Sequence, residues 1–395
     1  MNGIGIILFL TITTMKRFLK LIILMVLLPD SCSGLSSPNP NSNTVTVTSE
    51  AFQPSIRDST TKINNKDNDK EKDKDNLFHF DYQNNDRLPW MENGYNTWVW
   101  KGQHDINYIE LGDRTKPALV LIHGFGASSF HFRYNLPILA RDFHVFAFCK
   151  LGFGLSDKPL TDYSAEVWRD QTADFLKEVV QKPAVLAGNS LGGFTSLYTA
   201  ATDEVKPLVR GVILLNSAGR FRDNNNSKGA ENDGDPNEAK EKNGLTAAIA
   251  TLQTILQRAI ISVSFIVTKQ PKRIEQILRQ VYPINSSNVD SELVESIRFP
   301  SLDPNASEVF FRVITKNGNG PVNVFNDDLL ENLDCPLLLC WGEHDPWIRP
   351  ATADKIQALK PCCTRISIDA GHCPHDENPK AVNDAIRNFM LSLPL

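Results

Sequence analysis

The chain has 395 residues, longer than a typical single domain, and one large domain with a long insertion accommodates most of that length. Hydrophobic residues at 41% and charged residues at 22% are the proportions of a globular protein, which excludes a fibrous or wholly disordered chain. A formal charge of -5 lacks the basic surplus that phosphate backbones demand and argues against a nucleic-acid partner. The seven cysteines (Cys32, Cys149, Cys335, Cys340, Cys362, Cys363, Cys373) have neither metal-ligand spacing nor the density of a disulfide framework, so buried thiols and no metal are expected.

Near the start, the apolar runs Ile4 to Leu10 and Leu21 to Leu28 flank the cationic pair Lys16 and Arg17. The second run is followed by Ser31, Cys32, Ser33 and Gly34; it is too short to span a bilayer but matches the apolar region and cleavage zone of a secretory signal. Residues 1–34 are therefore predicted to be a targeting segment, with an interfacial anchor as the alternative. Residues 35–77 are predicted to be a disordered presequence and linker. They begin rich in Ser, Thr, Asn and Pro and then interleave Lys with Asp and Asn through Asn64 to Asn76, with almost nothing apolar to bury. Within them Ala51, Phe52, Gln53 and Pro54 resemble the Ala-Phe motif of two-part plastid presequences, which implies a plastid reached through an ER-type signal; the ER or secretion is the alternative. Sequons at Asn225, Asn285 and Asn305 are compatible with either route.

From Trp98 the pattern is strand, strand, then short β-branched runs alternating with longer amphipathic stretches, which predicts a mostly parallel sheet with helices on both faces. Strands are predicted at Asn107 to Leu111, Ala118 to Ile122, Val145 to Phe148, Ala184 to Ala187, Gly211 to Leu215, Pro336 to Trp341 and Arg365 to Ile368. Ser164 is placed to cap a helix running through Trp168 and Phe175 to Val180. The segment between Leu215 and Pro336 is far longer than an ordinary connection and predicts a lid over residues 222–334, between core segments 78–221 and 335–395. The lid opens with a polar loop, residues 222–243, too rich in Asn, Asp, Lys and Gly to fold into a core. It then turns abruptly into Leu245 to Val267, where apolar residues occupy more than one helical face. Such a helix needs an apolar partner: lid core, the wall of a lipophilic channel, or peripheral membrane contact.

The sharpest motif is Gly188, Asn189, Ser190, Leu191, Gly192, directly after an apolar strand and before the helical pattern Phe194 to Ala201. Glycines on both sides let the chain turn sharply and lift the Ser190 hydroxyl to where a substrate reaches it. The same turn aims the Leu191 amide and the helix N-terminus at a developing oxyanion, and the loop His123, Gly124, Phe125, Gly126 is placed to add the Phe125 amide. His123 itself is expected to support that loop. A serine hydroxyl needs an imidazole to take its proton and a carboxylate to fix the imidazole tautomer. After a strand come Gly342, Glu343, His344, Asp345, Pro346, with Asp345 the expected acid and Glu343 the alternative. After the next strand come Ala370, Gly371, His372, Cys373, Pro374, His375, with His372 the expected base and His375 its rival. Asp376 and Glu377 are expected to be a structural charge pair at the start of the final helix near Pro379.

These residues resemble the α/β-hydrolase fold family, and within it the pheophytinase and chlorophyll-dephytylase-like hydrolases of plastids, neighbours of the haloalkane dehalogenases and epoxide hydrolases. The similarity covers roughly residues 97–394 and is carried by His123 to Gly126, Leu151 to Pro159, Trp168 to Gln171, Gly188 to Gly193, Pro271 to Tyr282 with Leu302 to Pro304, Trp341 to Trp347 and Ala370 to His375. It implies an α/β-hydrolase fold: a mostly parallel eight-stranded sheet flanked by helices, with an inserted helical lid. The implied activity is cleavage of a carboxylic ester of a lipophilic substrate, such as the phytyl ester of a chlorophyll-derived pigment, by Ser190, Asp345 and His372 without metal or cofactor; a monomer is expected. Dehalogenases and epoxide hydrolases carry Asp at the elbow, so Ser190 favours acyl transfer. Two features depart from the family pattern: Cys149 stands before Gly152 where an anchoring Asp is usual, and the polar loop 222–243 looks like an addition. The competing readings are a hydrolase-fold ligand-binding receptor with little turnover, and a cofactor-free haloperoxidase or carbon-carbon bond hydrolase.

Overall fold

The computed structural model describes residues 78–222, 244–317 and 324–393, with only the backbone described for 244–254, 256, 316 and 317. The expected targeting segment 1–34, the linker 35–77 and the polar loop from residue 223 to 243 lie outside the described residues. One sheet contains β1 (Asn96–Trp100), β2 (His104–Leu111), β3 (Ala118–Ile122), β4 (His144–Phe148), β5 (Ala184–Asn189), β6 (Val209–Leu215), β7 (Leu337–Gly342) and β8 (Thr364–Ile368). Their spatial order is β1-β2-β4-β3-β5-β6-β7-β8. β2 pairs antiparallel with β1 and β4, and all other pairings are parallel. Each strand expected from the β-branched runs is present, and Trp98 lies in β1.

β3 is buried along its whole length because both faces of the sheet are covered. Val120 and Ile122 join one core with Trp168 and Phe175 of α2 (Ala165–Phe175), Leu197 of α3 (Leu191–Ala200) and Ile356 of α9 (Pro350–Leu359). Leu119 and Leu121 point the other way, into a core with Leu136 of α1 (Leu136–Ala140) and with Ile386 and Phe389 of α11 (Pro379–Ser392). The period-two alternation of one strand thus divides the molecule into its layers. Ser164 occupies the N-cap of α2, but its side chain makes no capping bond. The first turn is secured instead by buried Trp168, whose indole donates to Leu151 O at 3.1 Å.

Between β6 and β7 lie α4 (Gly244–Thr268), α5 (Pro271–Val281), α6 (Ser291–Arg298), α7 (Ala306–Asn317) and α8 (Asn326–Glu331). Pro271 starts α5, where its missing N–H costs nothing. Asp290 caps α6 by accepting from Leu293 N at 2.8 Å. Ile274, Leu278, Val281 and Tyr282 pack with Val289 and Leu293, and Cys373 from the loop after β8 completes this small separate core. A short helix, α10 (Pro374–Glu377), precedes α11. The N-cap of α11 is Asn378, which accepts from Ala381 N at 3.4 Å. Asp376 and Glu377 are therefore not the helix-start charges expected of them; both are fully buried and bridge to other elements.

Candidate active site

β5 ends at Asn189 and α3 begins at Leu191, which leaves Ser190 alone in the turn with φ 53° and ψ -118°. A positive φ at a residue with a side chain is costly and persists only when its surroundings fix it. Here Ser190 N donates to Leu215 O at 3.0 Å, and Ser190 O accepts from Ala218 N at 2.9 Å. α3 starts so close to β3 that a Cβ on Gly192 would sit 2.0 Å from Ile122 O, which only glycine avoids. The loop after β3 passes equally near: a Cβ on Gly124 would lie 3.3 Å from the Ser190 Cβ, so Phe125 follows directly beside the elbow.

His123 is fully buried beneath this loop. Its Nδ1 lies 2.7 Å from Gly124 O, and its Nε2 accepts from Lys150 N at 3.0 Å, which places the proton on Nδ1. Burial, reinforced by Lys150, holds its pKa well below the usual imidazole range.

On the far side of β6, Asp345 and His372 meet: His372 Nδ1 donates to Asp345 Oδ2 at 2.7 Å, and both residues are 4% exposed. The other carboxylate oxygen accepts from the amides of Trp347 at 2.7 Å and Ile348 at 2.9 Å. Glu343 faces Ser367 and Arg365 instead, and His375 is buried between His131 and Phe132, with ring centroids 4.6 and 4.7 Å away. The structure therefore joins Asp345 to His372 and places neither alternative with them. Asn189 links this pair to the elbow, since its Nδ2 donates both to Leu215 O at 3.0 Å and to His372 O at 2.9 Å.

Several residues hold the site in ways that the sequence did not assign to them. Asn216, at φ 44° just beyond β6, donates to Asp345 Oδ2 at 2.8 Å and accepts from Gly342 N at 2.8 Å. An Asn directly after a buried strand, where the left-handed conformation is tolerated, was the available clue. Glu377 accepts the Gly371 amide with one oxygen and the amides of Ile284 and Asn285 with the other. Asp376 pairs with Arg133 at 3.0 Å and accepts from Tyr282 at 2.8 Å, and Tyr282 lies 2.8 Å from His131 Nε2. Arg133 also reaches Asp290 at the start of α6. Cys149 anchors its loop in place of the usual Asp: its sulfur accepts from Ser129 N at 3.4 Å.

Aromatic rings gather at the loop after β3 and beside His372. Phe125 stacks edge-on against Phe153 at 5.7 Å and contacts Phe310 of α7 at 5.8 Å, while Trp347 lies 5.0 Å from the His372 ring. Phe125 and Trp347 are both partly open to solvent.

Residues 117–379 match the family described as the alpha/beta hydrolase fold. Over 339 residues the chain is 31% identical to chloroplastic pheophytinase of Arabidopsis thaliana, a match covering 74% of this chain and 66% of that protein. It is 26% identical over 292 residues to Lipase 3 of a Moraxella species, covering 71% of this chain and 79% of the lipase. Among solved structures, the meta-cleavage product hydrolase from Pseudomonas fluorescens superposes with a TM-score of 0.58 at 20% identity, covering 75% of this chain and 97% of that one. At that identity the likeness speaks for the fold alone. With the sheet order, the strained serine turn and the family match over most of its described length, the chain belongs to the α/β-hydrolase fold family.

Proposed function

We propose that the protein hydrolyses a carboxylic ester of a lipophilic substrate through an acyl-enzyme on Ser190. The observation that carries this reading is the Asp345–His372 hydrogen bond, tied through Asn189 to the turn bearing Ser190. Ser190 Oγ attacks the ester carbonyl carbon while His372 Nε2 takes the hydroxyl proton, and Asp345 holds the Nδ1–H tautomer and stabilises the imidazolium. The amides of Phe125 and Leu191 receive the oxyanion; one such donor is worth about 2.7 to 4 kcal/mol in the transition state. Collapse of the tetrahedral intermediate expels the alcohol, which takes the proton back from His372. Water then attacks the acyl-serine, again giving its proton to His372, and the carboxylic acid leaves as Ser190 is regenerated.

The proposed substrate is the phytyl ester of a chlorophyll-derived pigment, supported by the similarity to a chloroplastic pheophytinase and by the exposed Phe125 ring with Phe153 and Phe310 packed against it. Incubation with pheophytin, chlorophyll and simple acyl esters should release phytol from the pigments. A fluorophosphonate should label the wild type and not Ser190→Ala. Labelling of the variant would remove Ser190 from the mechanism, and tight lipophile binding without product over hours would favour a receptor. The same similarity supports a plastid location, reached through the expected ER-type signal. A fluorescent fusion of the full chain should accumulate in plastids; retention in the ER would replace that reading.

A further inference from the structure

From Ile255 to Val267 the described side chains of helix α4 fall on two unlike sides. Ile261, Ser264 and Phe265 are buried, with Phe265 against Phe310 of α7 at 5.1 Å. Arg258 pairs with Glu308 at 2.9 Å and lies over the Phe311 ring at 4.5 Å, so α7 is the support of α4. On the other side Ile255, Val263 and Ile266 are 60%, 61% and 55% exposed, and Ile260 and Val267 flank them, also exposed. Ile255, Ala259, Val263 and Ile266 recur at helical spacing and form one apolar stripe along the helix. A continuous apolar stripe facing water marks an interaction surface.

Charge indicates the partner. Residues 244–274 contain no Asp or Glu, in a chain whose formal charge is -5; of their cations Arg258 is taken by Glu308, while Lys269 and Lys272 follow the stripe. An apolar stripe in an acid-free, basic segment complements an anionic lipid surface, with acyl chains for the stripe and headgroups for the cations. Among the described residues no helix is long and apolar enough to cross a membrane, so α4 would lie on such a surface. On its inner side a series of rings, Phe265 to Phe310 to Phe125, spaced 5.1 and 5.8 Å, leads from this helix to the loop beside Ser190. We propose that α4 seats the protein on an anionic lipid surface, stripe inward, and that the lipophilic ester passes from the lipid along the Phe265–Phe310–Phe125 series to Ser190. The docking half stands on the helix itself; the delivery half rests on the ester-hydrolase reading above.

The test is flotation of the full chain with vesicles of phosphatidylcholine alone or mixed equally with phosphatidylglycerol. Val263→Asp with Ile266→Asp should lower binding to the mixed vesicles about tenfold or more. Lys269→Glu with Lys272→Glu should lower it on mixed vesicles and leave binding to phosphatidylcholine unchanged. The apolar runs near the N-terminus are identical in all forms, so their contribution cancels in the comparison. All forms should cleave a short water-soluble ester equally, and the Asp variant should lose activity on a long-chain ester carried in the vesicles. Equal flotation of all forms would overturn the proposal, as would a wild-type dimer that Val263→Asp with Ile266→Asp converts to monomer, since the stripe would then join two copies. If flotation differs as expected but no form cleaves the short ester, the ester-hydrolase reading fails and the docking surface stands.

Discussion

Glu377 and Gly371 are joined by a hydrogen bond from the Gly371 amide to the buried carboxylate, whose other oxygen takes the amides of Ile284 and Asn285 at 2.8 and 2.9 Å. One carboxylate thus fastens the residue before His372 to the lid segment after α5, and the His372 amide adds a bond to Val281 O at 3.0 Å. Glu377→Ala strands three amide donors, with an expected loss of about 3 kcal/mol or more. Thermal denaturation should show a midpoint lowered by about 6 °C or more. Hydrolysis of a short ester should fall with it, mainly in kcat, and Glu377→Gln, which keeps one acceptor, should lie between. Unchanged kcat in a folded Glu377→Ala protein would show that this clamp does not position the base.

Asp345→Asn would present an amide where the His372 Nδ1–H now donates and would favour the wrong tautomer. The expected loss in kcat is about 10⁴-fold, with KM little changed. Asn216→Ala removes one donor to Asp345 and the acceptor for Gly342 N, so a smaller loss of about tenfold is expected. Steady-state kinetics on one soluble ester measure both, and equal losses would mean that Asn216 does more than steady the acid.

Lys150 has its amine fully buried over the faces of Trp168 and Phe153, at 5.1 and 5.5 Å, with no hydrogen-bond partner among the described residues. Burial drives its pKa well below the ordinary lysine value. A depressed pKa contributes stability that is present above about pH 10.5 and lost as pH falls through the folded value, so at neutral pH this lysine is a liability. Lys150→Met keeps the stem and should stabilise the fold by about 1 to 3 kcal/mol. The gain in denaturation midpoint should shrink as the buffer approaches pH 10.

His123, His131 and His375 are buried, and burial holds all three below the ordinary imidazole range, His131 at about 3. Unfolding returns them to about 6.5, so below that value the unfolded chain binds more protons than the folded one. Their contribution is complete above about pH 6.5 and declines as pH falls toward about 3. Asp376 acts in the opposite sense: burial raises it to about 6, so its contribution is present below about pH 3.8 and lost as pH rises through about 6. With three groups against one, the denaturation midpoint should drop steadily in acid. His375, whose ring nitrogens have no hydrogen-bond partner among the described residues, offers the cleanest check. His375→Leu should flatten that decline, and an unchanged slope would remove His375 from the account.

The parts of the site legible in the sequence were those in which covalent geometry restricts residue type. Glycines around Ser190, the glycine before His372 and the order of motifs after successive strands follow from backbone and chemistry; the structure sets Ser190 in the expected turn and joins Asp345 to His372. The supporting groups were not legible, because Asn216, Tyr282 and Glu377 act through contacts between segments distant in the chain, which no local pattern encodes. Asp376 and Glu377 were misplaced for that reason: an acidic pair before a helix suits the helix dipole, yet Arg133 and the lid amides claim both. The fold itself was readable because β-branched runs and helical spacing recur with regular alternation, whereas the hydroxyl of Ser164 shows that a favoured capping residue need not make its bond.

The segment from Val281 to Asn285 is bonded to the loop that carries His372, whereas α4 is held by α7. The segment inserted between β6 and β7 therefore has two separate attachments, one to the loop that carries the proposed base and one to the support of the proposed docking helix. If both proposals hold, selectivity and reactivity reside in separately attached parts of the chain.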